Sequence, residues 1–249
     1  MDDAQLLRYS RHILLTELGP DAQEKFAGAR ALVVGVGGLG NPAAHFLAAA
    51  GIGTLTLCDA DHVDLTNLQR QILFSTPDIG RTKVDAATAR LAAVNPDVHI
   101  ERVGVRVGDS ELSSLVERAD VVLDCTDNFV TRHAINRACV AAHKPLVSGA
   151  ALRFDGQIAV FDVRETQSPC YHCLFGEGDE IEETRCATMG EFAPLVGIVG
   201  ATQAGEALKL IAGIGETLAG RLLILDALTM QWRDVRVPRD PACPVCSAR

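Results

Sequence analysis

Apolar and polar positions along most of the chain follow a strand–helix rhythm. Residues 4–18 read as an amphipathic helix, with Leu6, Leu7, Ile13, Leu14 and Leu15 on its apolar side. A short helix follows over 21–26. The run Ala31-Leu32-Val33-Val34 is wholly apolar and stops at a glycine cluster, Gly35 to Gly40. Such a run predicts a buried parallel strand entering a tight turn. Asn41-Pro42 then opens a helix, with Asn as N-cap and Pro where its missing N–H leaves no bond unmade. That helix ends near Gly51, and residues 54–59 form the second strand. The alternation continues with a helix over 83–94, a strand near 100–105, a helix over 109–117 and a buried strand at 121–124. A helix reaching Ala142 and a strand at 145–147 complete it. This order predicts an α/β fold with a doubly wound, mostly parallel sheet.

After Gly149 the pattern changes. Strand-like stretches at 157–163, 222–226 and 232–237 predict an antiparallel C-terminal extension of the sheet. Residues 176–184 are rich in Gly and Glu and read as a mobile loop. The apolar stretch 193–211 is interrupted by Gln203, Glu206 and Lys209, which marks a buried helix rather than a membrane span. No repeat or long linker divides the chain. One domain is expected over 1–249: helices over 1–28, a core with the glycine cluster over 29–150, and the extension, loop and cysteine pairs over 151–249.

Composition narrows the function. The net charge of −9 over 249 residues argues against a broad nucleic-acid surface, which needs a basic face. The acidic start, Met1-Asp2-Asp3, lacks the basic and then apolar pattern of a secretory signal, so a cytoplasmic location is expected. Four of the eight cysteines form two C-x-x-C pairs, Cys170/Cys173 and Cys243/Cys246. In a reducing compartment such pairs point to metal rather than disulfides, and this spacing is that of a structural zinc site. Four reduced thiols or a redox pair are the alternatives.

The glycine loop lets backbone N–H groups approach phosphates at a helix N-terminus, and Asp59, ending the second strand, is placed to accept from ribose hydroxyls. Taken alone this fits NAD, FAD or ATP, or simply a tight turn with close helix packing. The stretch after Asp59 favours a triphosphate. Asn67, Arg70 and Lys83 bring an amide, a planar guanidinium fork and a point charge towards the loop.

On these residues the chain resembles the ubiquitin-activating-enzyme-like superfamily, specifically the small bacterial MoeB/ThiF/HesA adenylyltransferases, which have a Rossmann-like core. The resemblance runs essentially the whole length. It rests on Arg8-Tyr9-Ser10-Arg11, Gly35 to Gly40, Asp59-Ala60-Asp61, Asn67-Leu68-Gln69-Arg70-Gln71, Asp124-Cys125-Thr126-Asp127-Asn128 and both C-x-x-C pairs. It implies that Gly37 and Gly38 lie along ATP and that Asp59 holds the ribose. It implies a phosphate-side cluster of Thr66, Asn67, Gln69, Arg70 and Lys83. Asp127 would coordinate Mg²⁺ with Asn128 beside it, and Arg11 would cross from a partner subunit into the site of a homodimer. The implied activity is adenylation of the C-terminal Gly-Gly carboxylate of a small ubiquitin-like sulfur-carrier protein. A molybdopterin-pathway carrier is expected first, a thiamine-pathway carrier second. The chain ends just after the second knuckle, so a separate protein is expected as sulfur donor.

Cys186 aligns with a cysteine that handles sulfur in ThiF-like members and is a candidate thiol. Glu191-Phe192 departs from the family, where many relatives carry small apolar residues. Cys58, Cys125 and Cys139 read as core, and His172 as a bystander between zinc ligands. Two other readings compete. A NAD-dependent oxidoreductase accounts for the glycines and Asp59 but not for Arg70, Lys83, Asp127 and the knuckles together. A non-catalytic zinc-stabilised scaffold accounts for the knuckles but gives the filled charged positions no work.

Overall fold

A computed structural model describes residues 1–177 and 189–248. Its centre is an eight-stranded sheet in the order β3-β2-β1-β4-β5-β6-β7-β8. The strands are β1 (Arg30–Val34), β2 (Thr54–Cys58), β3 (His99–Val103), β4 (Val121–Asp124), β5 (Leu146–Leu152), β6 (Asp155–Phe161), β7 (Arg221–Asp226) and β8 (Gln231–Arg236). The first five in spatial order run parallel, and β5 to β8 pair antiparallel. The strand order reverses at β1, between β2 and β4. In doubly wound sheets the crevice beyond the carboxyl ends of the strands at such a reversal is where ligands sit.

Side chains alternate across β1. Ala31 and Val33 join one apolar layer, while Leu32 and Val34 join the layer on the opposite face. The first layer takes α3 (Gly19–Gly28), α4 (Gly40–Ala50), α5 (Lys83–Val94) and the long α9 (Ala193–Ala212) through residues such as Phe26, Leu47, Leu91 and Val199. The second takes α6 (Asp109–Glu117), α7 (Phe129–Ala141) and the short α8 (Tyr171–Leu174) through Val116, Ile135 and Tyr171. Both faces of the central parallel strands are thus covered, which is why β1 and β4 are largely apolar, whereas the edge strand β3, His99–Val103, is polar and partly exposed. The outermost strand, β8, is exposed at every position.

α9 is long and apolar enough to cross a membrane, yet it packs on α4, β5 and β6. Its polar residues are partnered internally. Gln203 is fully buried and donates to the carbonyls of Asp124 (2.8 Å) and Val147 (3.2 Å). Glu206 accepts from Leu218 N (2.7 Å) and ion-pairs with Lys209.

Several boundaries depart from the expectation. The single helix over 4–18 is two pieces, α1 (Asp3–Arg8) and α2 (Ser10–Ile13), separated by Tyr9. Tyr9 is held elsewhere: its ring covers Gly51, where a Cβ would stand 2.6 Å from it, and its hydroxyl accepts from Asn95 Nδ2 at 2.9 Å. A long-range anchor overrides the local helical period. Leu6, Leu7, Leu14 and Leu15 are accordingly exposed. The helix expected over 21–26 spans Gly19–Gly28.

Asn41 is not an N-cap. α4 begins one residue earlier, and the buried Asn41 side chain donates to Val36 O (2.7 Å) and accepts from Leu73 N (2.7 Å). It ties the glycine loop to the segment after β2. β5 runs on through Gly149 to Leu152, because β6 folds back to extend its ladder.

Candidate functional site

The site begins with the glycine loop between β1 and α4. Gly35 adopts φ +87, and a Cβ there would stand 2.6 Å from Cys125 O, so β1 and β4 can end side by side only with glycine. A Cβ on Gly40 would lie 1.9 Å from Gly35 O, closing the loop onto the first turn of α4. Gly40→Ala is therefore expected to cost about 1–3 kcal/mol, as overpacking does, seen as a lower urea midpoint. On the outer side, a Cβ on Gly37 would meet Gln71 Nε2 at 3.7 Å, and one on Gly38 would meet Val196 of α9 at 3.3 Å.

Asp59, just past β2, holds this loop. Its carboxylate accepts from Val36 N (2.7 Å) and Asp61 N (2.8 Å). Lys83 Nζ lies 2.8 Å from Asp61 and 4.0 Å from Asp59. Lys83 is 6% exposed at the start of α5, whereas the Asp61 side chain is 70% exposed. A buried ammonium is thus balanced by one sheltered and one exposed carboxylate.

The segment after β2 folds into a short 3₁₀ turn, Leu65–Asn67. Thr66 and Asn67 do local work there. Thr66 donates its N–H (2.8 Å) and hydroxyl (2.7 Å) to Asp64, and Asn67 Oδ1 accepts from Asp64 N (3.1 Å). The hydrogen bonds from Thr66 hold the Asp64 carboxyl below its usual range. Gln69 is exposed. Arg70 donates to Thr66 O (3.1 Å), and its Nε lies 2.5 Å from a Glu191 carboxylate oxygen, an ion pair without hydrogen-bond alignment. Gln71, next along, is 3% exposed against the glycine loop. Its Oε1 is buried with no hydrogen-bond partner among the described residues.

Beyond β4, Asp127 is exposed and Asn128 caps α7, accepting from Thr131 N at 2.9 Å. The turn carrying them rests on a buried polar network. Asp124 accepts from Thr126 N (3.0 Å), Thr126 Oγ1 (2.7 Å) and Ser148 Oγ (2.9 Å). Arg132 donates to Thr126 O and to Gly149 O (3.1 Å). Burial alone would lower the Arg132 pKa, but the charge of Asp124 and contacts with Tyr171 and Asp127 leave it raised. Sequence reasoning does not find Asp124 and Arg132 as supports for this turn, since nothing local marks a residue whose partners lie on other elements. Gln71, which faces the glycine loop, and Arg70 sit in a recognisable motif, but the Glu191 contact of Arg70 joins residues over a hundred positions apart. Arg11 lies exposed on α2, and among the described residues no hydrogen bond or ion pair brings it to this cluster.

The four knuckle cysteines meet in one cluster beside α7. Cys170 Sγ is 3.9 Å from Cys173 and 3.7 Å from Cys243, and Cys173 is 3.5 Å from Cys246. Four thiolates at about 2.3 Å from a tetrahedral zinc stand about 3.8 Å apart, so the set fits zinc with no open position. Asn136 and Arg239 brace it. Asn136 Nδ2 lies 3.6 Å from Cys170 Sγ, and Arg239 donates to Cys246 O (2.6 Å) and Thr166 O (3.1 Å). Burial opposes ionisation of Cys246, but hydrogen bonds from Cys173, Arg239, Cys170 and Cys243 bring its thiol down to about 7. Burial instead pushes Cys58 up to about 11 and raises Cys125 and Cys139. These three are inert core thiols. His172 stands edge-on to His133, ring centroids 5.7 Å apart. Cys186, the candidate sulfur-handling thiol, lies outside the described residues, as does most of the 176–184 stretch.

Comparison with known proteins meets this geometry. The model of the ThiF family matches residues 9–245. The chain is 47% identical to the sulfur carrier protein ThiS adenylyltransferase of Escherichia coli K12, covering 99% of this chain and 97% of that one. It is 45% identical to the molybdopterin-synthase adenylyltransferase of the same organism, covering 99% and 98%. The crystal structure of E. coli MccB with ATP superposes with a TM-score of 0.83 at 25% identity, covering 96% of this chain and 74% of that one. The chain belongs to the ThiF family.

Proposed function

We propose that this chain adenylates the C-terminal carboxylate of a small ubiquitin-like sulfur-carrier protein, using ATP. What supports the reading is the glycine loop, Asp59 and Lys83 drawn together at the strand-order reversal, with Arg70 on the segment that runs from Asp59 to Lys83. The relatives supply the chemistry by analogy: two are named adenylyltransferases, one of them for a sulfur carrier.

A carboxylate is a poor electrophile. Converting it to a mixed anhydride with AMP gives it a leaving group. The carboxylate oxygen attacks the α-phosphorus, the bond to the bridging oxygen breaks, and pyrophosphate leaves with that electron pair. No general base is needed, because the nucleophile is already ionised. The protein must bring two anions together and stabilise the charge that moves onto pyrophosphate. Gly37 and Gly38 let the nucleotide approach backbone N–H groups, and Asp59 is positioned for the ribose. Arg70 and Lys83 supply positive charge at the phosphate end. Asp127 fits magnesium: an exposed hard oxygen donor beside the site, leaving the remaining positions to phosphate and water. When bound, magnesium screens the phosphates. The thiol cluster holds zinc and fixes the C-terminal knuckle. A homodimer in which the partner's copy of the exposed α2 arginine completes the site is part of the same reading.

A molybdopterin-pathway carrier is the first choice of substrate. A thiamine-pathway carrier is the alternative, and identities of 47% to a ThiS adenylyltransferase and 45% to a molybdopterin-synthase adenylyltransferase support the two about equally. Arg70→Ala is expected to lower the rate of ATP–pyrophosphate exchange by about 10²–10³-fold, the cost of removing one donor from developing charge. Exchange within a few-fold of wild type would remove Arg70 from the phosphate side.

A further inference from the structure

Both cations at the phosphate end of the site are paired with carboxylates. Lys83, at the start of α5, is held by Asp61 of the segment after β2. Arg70 is held by Glu191, which comes from a distant part of the chain. Both side chains of the Arg70–Glu191 pair are about one quarter exposed, 25% and 26%, so the contact is sheltered but reachable.

Glu191 is not loosely placed. Arg153 N donates to Gly190 O (3.1 Å), and Phe192 N donates to Arg153 O (2.9 Å), forming a β-bridge around Glu191. Phe192 packs its ring on Phe154 at 5.1 Å, and α9 starts directly after it. The backbone pivot of Glu191 is thus fixed between β5 and α9, and its carboxylate reaches across to Arg70. The contact is short but not aligned as a hydrogen bond. A carboxylate that oriented the guanidinium for catalysis would use the fork, with two aligned N–H donors. This one neutralises charge without setting direction.

We propose that Glu191 is an internal competitor for the triphosphate: it occupies Arg70 when the site is empty, yields it to the β- and γ-phosphates of ATP, and takes it back as pyrophosphate leaves. The inference rests on the reading that ATP binds here with Arg70 facing its phosphates. It assigns a role to Glu191, a carboxylate that the sequence places just before α9. A permanent cation beside a product of high negative charge would slow product release, and a tethered carboxylate offers the cation an alternative partner at that moment. The contest costs ATP affinity and gains pyrophosphate release.

Calorimetric titration of ATP, AMP and pyrophosphate into full-length, zinc-loaded wild type and Glu191→Gln tests it. Glu191→Gln keeps the shape and removes the charge. ATP and pyrophosphate should bind the variant about three- to tenfold more tightly, the range of a modest ion pair. AMP, which lacks the β- and γ-phosphates, should bind both proteins alike. In the Arg70→Ala background the substitution should change nothing. Weaker ATP binding to Glu191→Gln would show that Glu191 positions Arg70 and overturn the proposal, as would equal affinities in the two proteins. Tighter binding of AMP by the same factor would trace the effect to the general field, again against it. If neither protein binds ATP, the nucleotide reading itself fails, an outcome separate from all of these.

Discussion

Asp127→Ala is expected to lose at least a thousandfold in ATP–pyrophosphate exchange, about 4 kcal/mol of transition-state stabilisation, while folding normally. The two halves of the expectation have different sources. Asp127 is exposed just past β4 and is no part of the sheet's apolar layers, so its removal leaves no cavity and no orphaned buried donor. Its carboxylate is the exposed hard-oxygen donor on the turn that Asp124 and Arg132 brace. Without it the phosphates lose the ion that neutralises them, and the approach of a second anion becomes costly. The melting temperature should stay within a few degrees of wild type. Near-normal turnover by a folded Asp127→Ala protein would show that the metal is held elsewhere.

The second large effect concerns stability. Cys243→Ser should abolish zinc binding, lowering metal content from about one zinc per chain to none. A ligand held at free concentrations a thousandfold above its Kd contributes about 4 kcal/mol to the folded state. For a chain of this size that corresponds to a fall of about 10 °C in melting temperature. The loss should begin in the knuckle. Arg239 ties the C-terminal turn to Thr166 and Cys246, and that tie depends on the thiols holding the two knuckles together. Hydrogen exchange should rise first around 170–175 and 239–248. A wild-type protein purified without added zinc that carries no metal, and a Cys243→Ser protein that melts like it, would leave four reduced thiols as the better account.

Much of the fold and the site is legible in the sequence, for physical reasons that differ by element. β1 and β4 announce themselves because both their faces are buried, which forces apolar runs, and β2 through its alternating Thr and Leu. The cysteine knuckles are legible because C-x-x-C spacing places two thiols on one turn, although 70 residues separate Cys173 from Cys243. The N-terminal helix is misread from its period because Tyr9 answers to Gly51 and Asn95, not to its neighbours. Asn41 has the composition of a cap but the environment of a strut, and only the fold brings Leu73 to it. Thr66 and Asn67 sit where phosphate donors are expected, yet in this structure they close their own turn with Asp64. Glu191 stands out in the sequence as an odd residue, but its meaning depends on Arg70 lying beside it. Local chemistry is readable from spacing; partnerships across the fold are not.

The proposed reaction joins a carrier carboxylate to AMP at this site. It is tested most directly by ATP–pyrophosphate exchange with magnesium, run against a panel of carrier proteins ending in Gly-Gly. Exchange that depends on one carrier, and disappears when that carrier's terminal glycine is removed, is the predicted result, and the responding carrier names the pathway. Absence of exchange with every carrier, by protein that is folded and zinc-loaded, would contradict it and favour a zinc-stabilised scaffold.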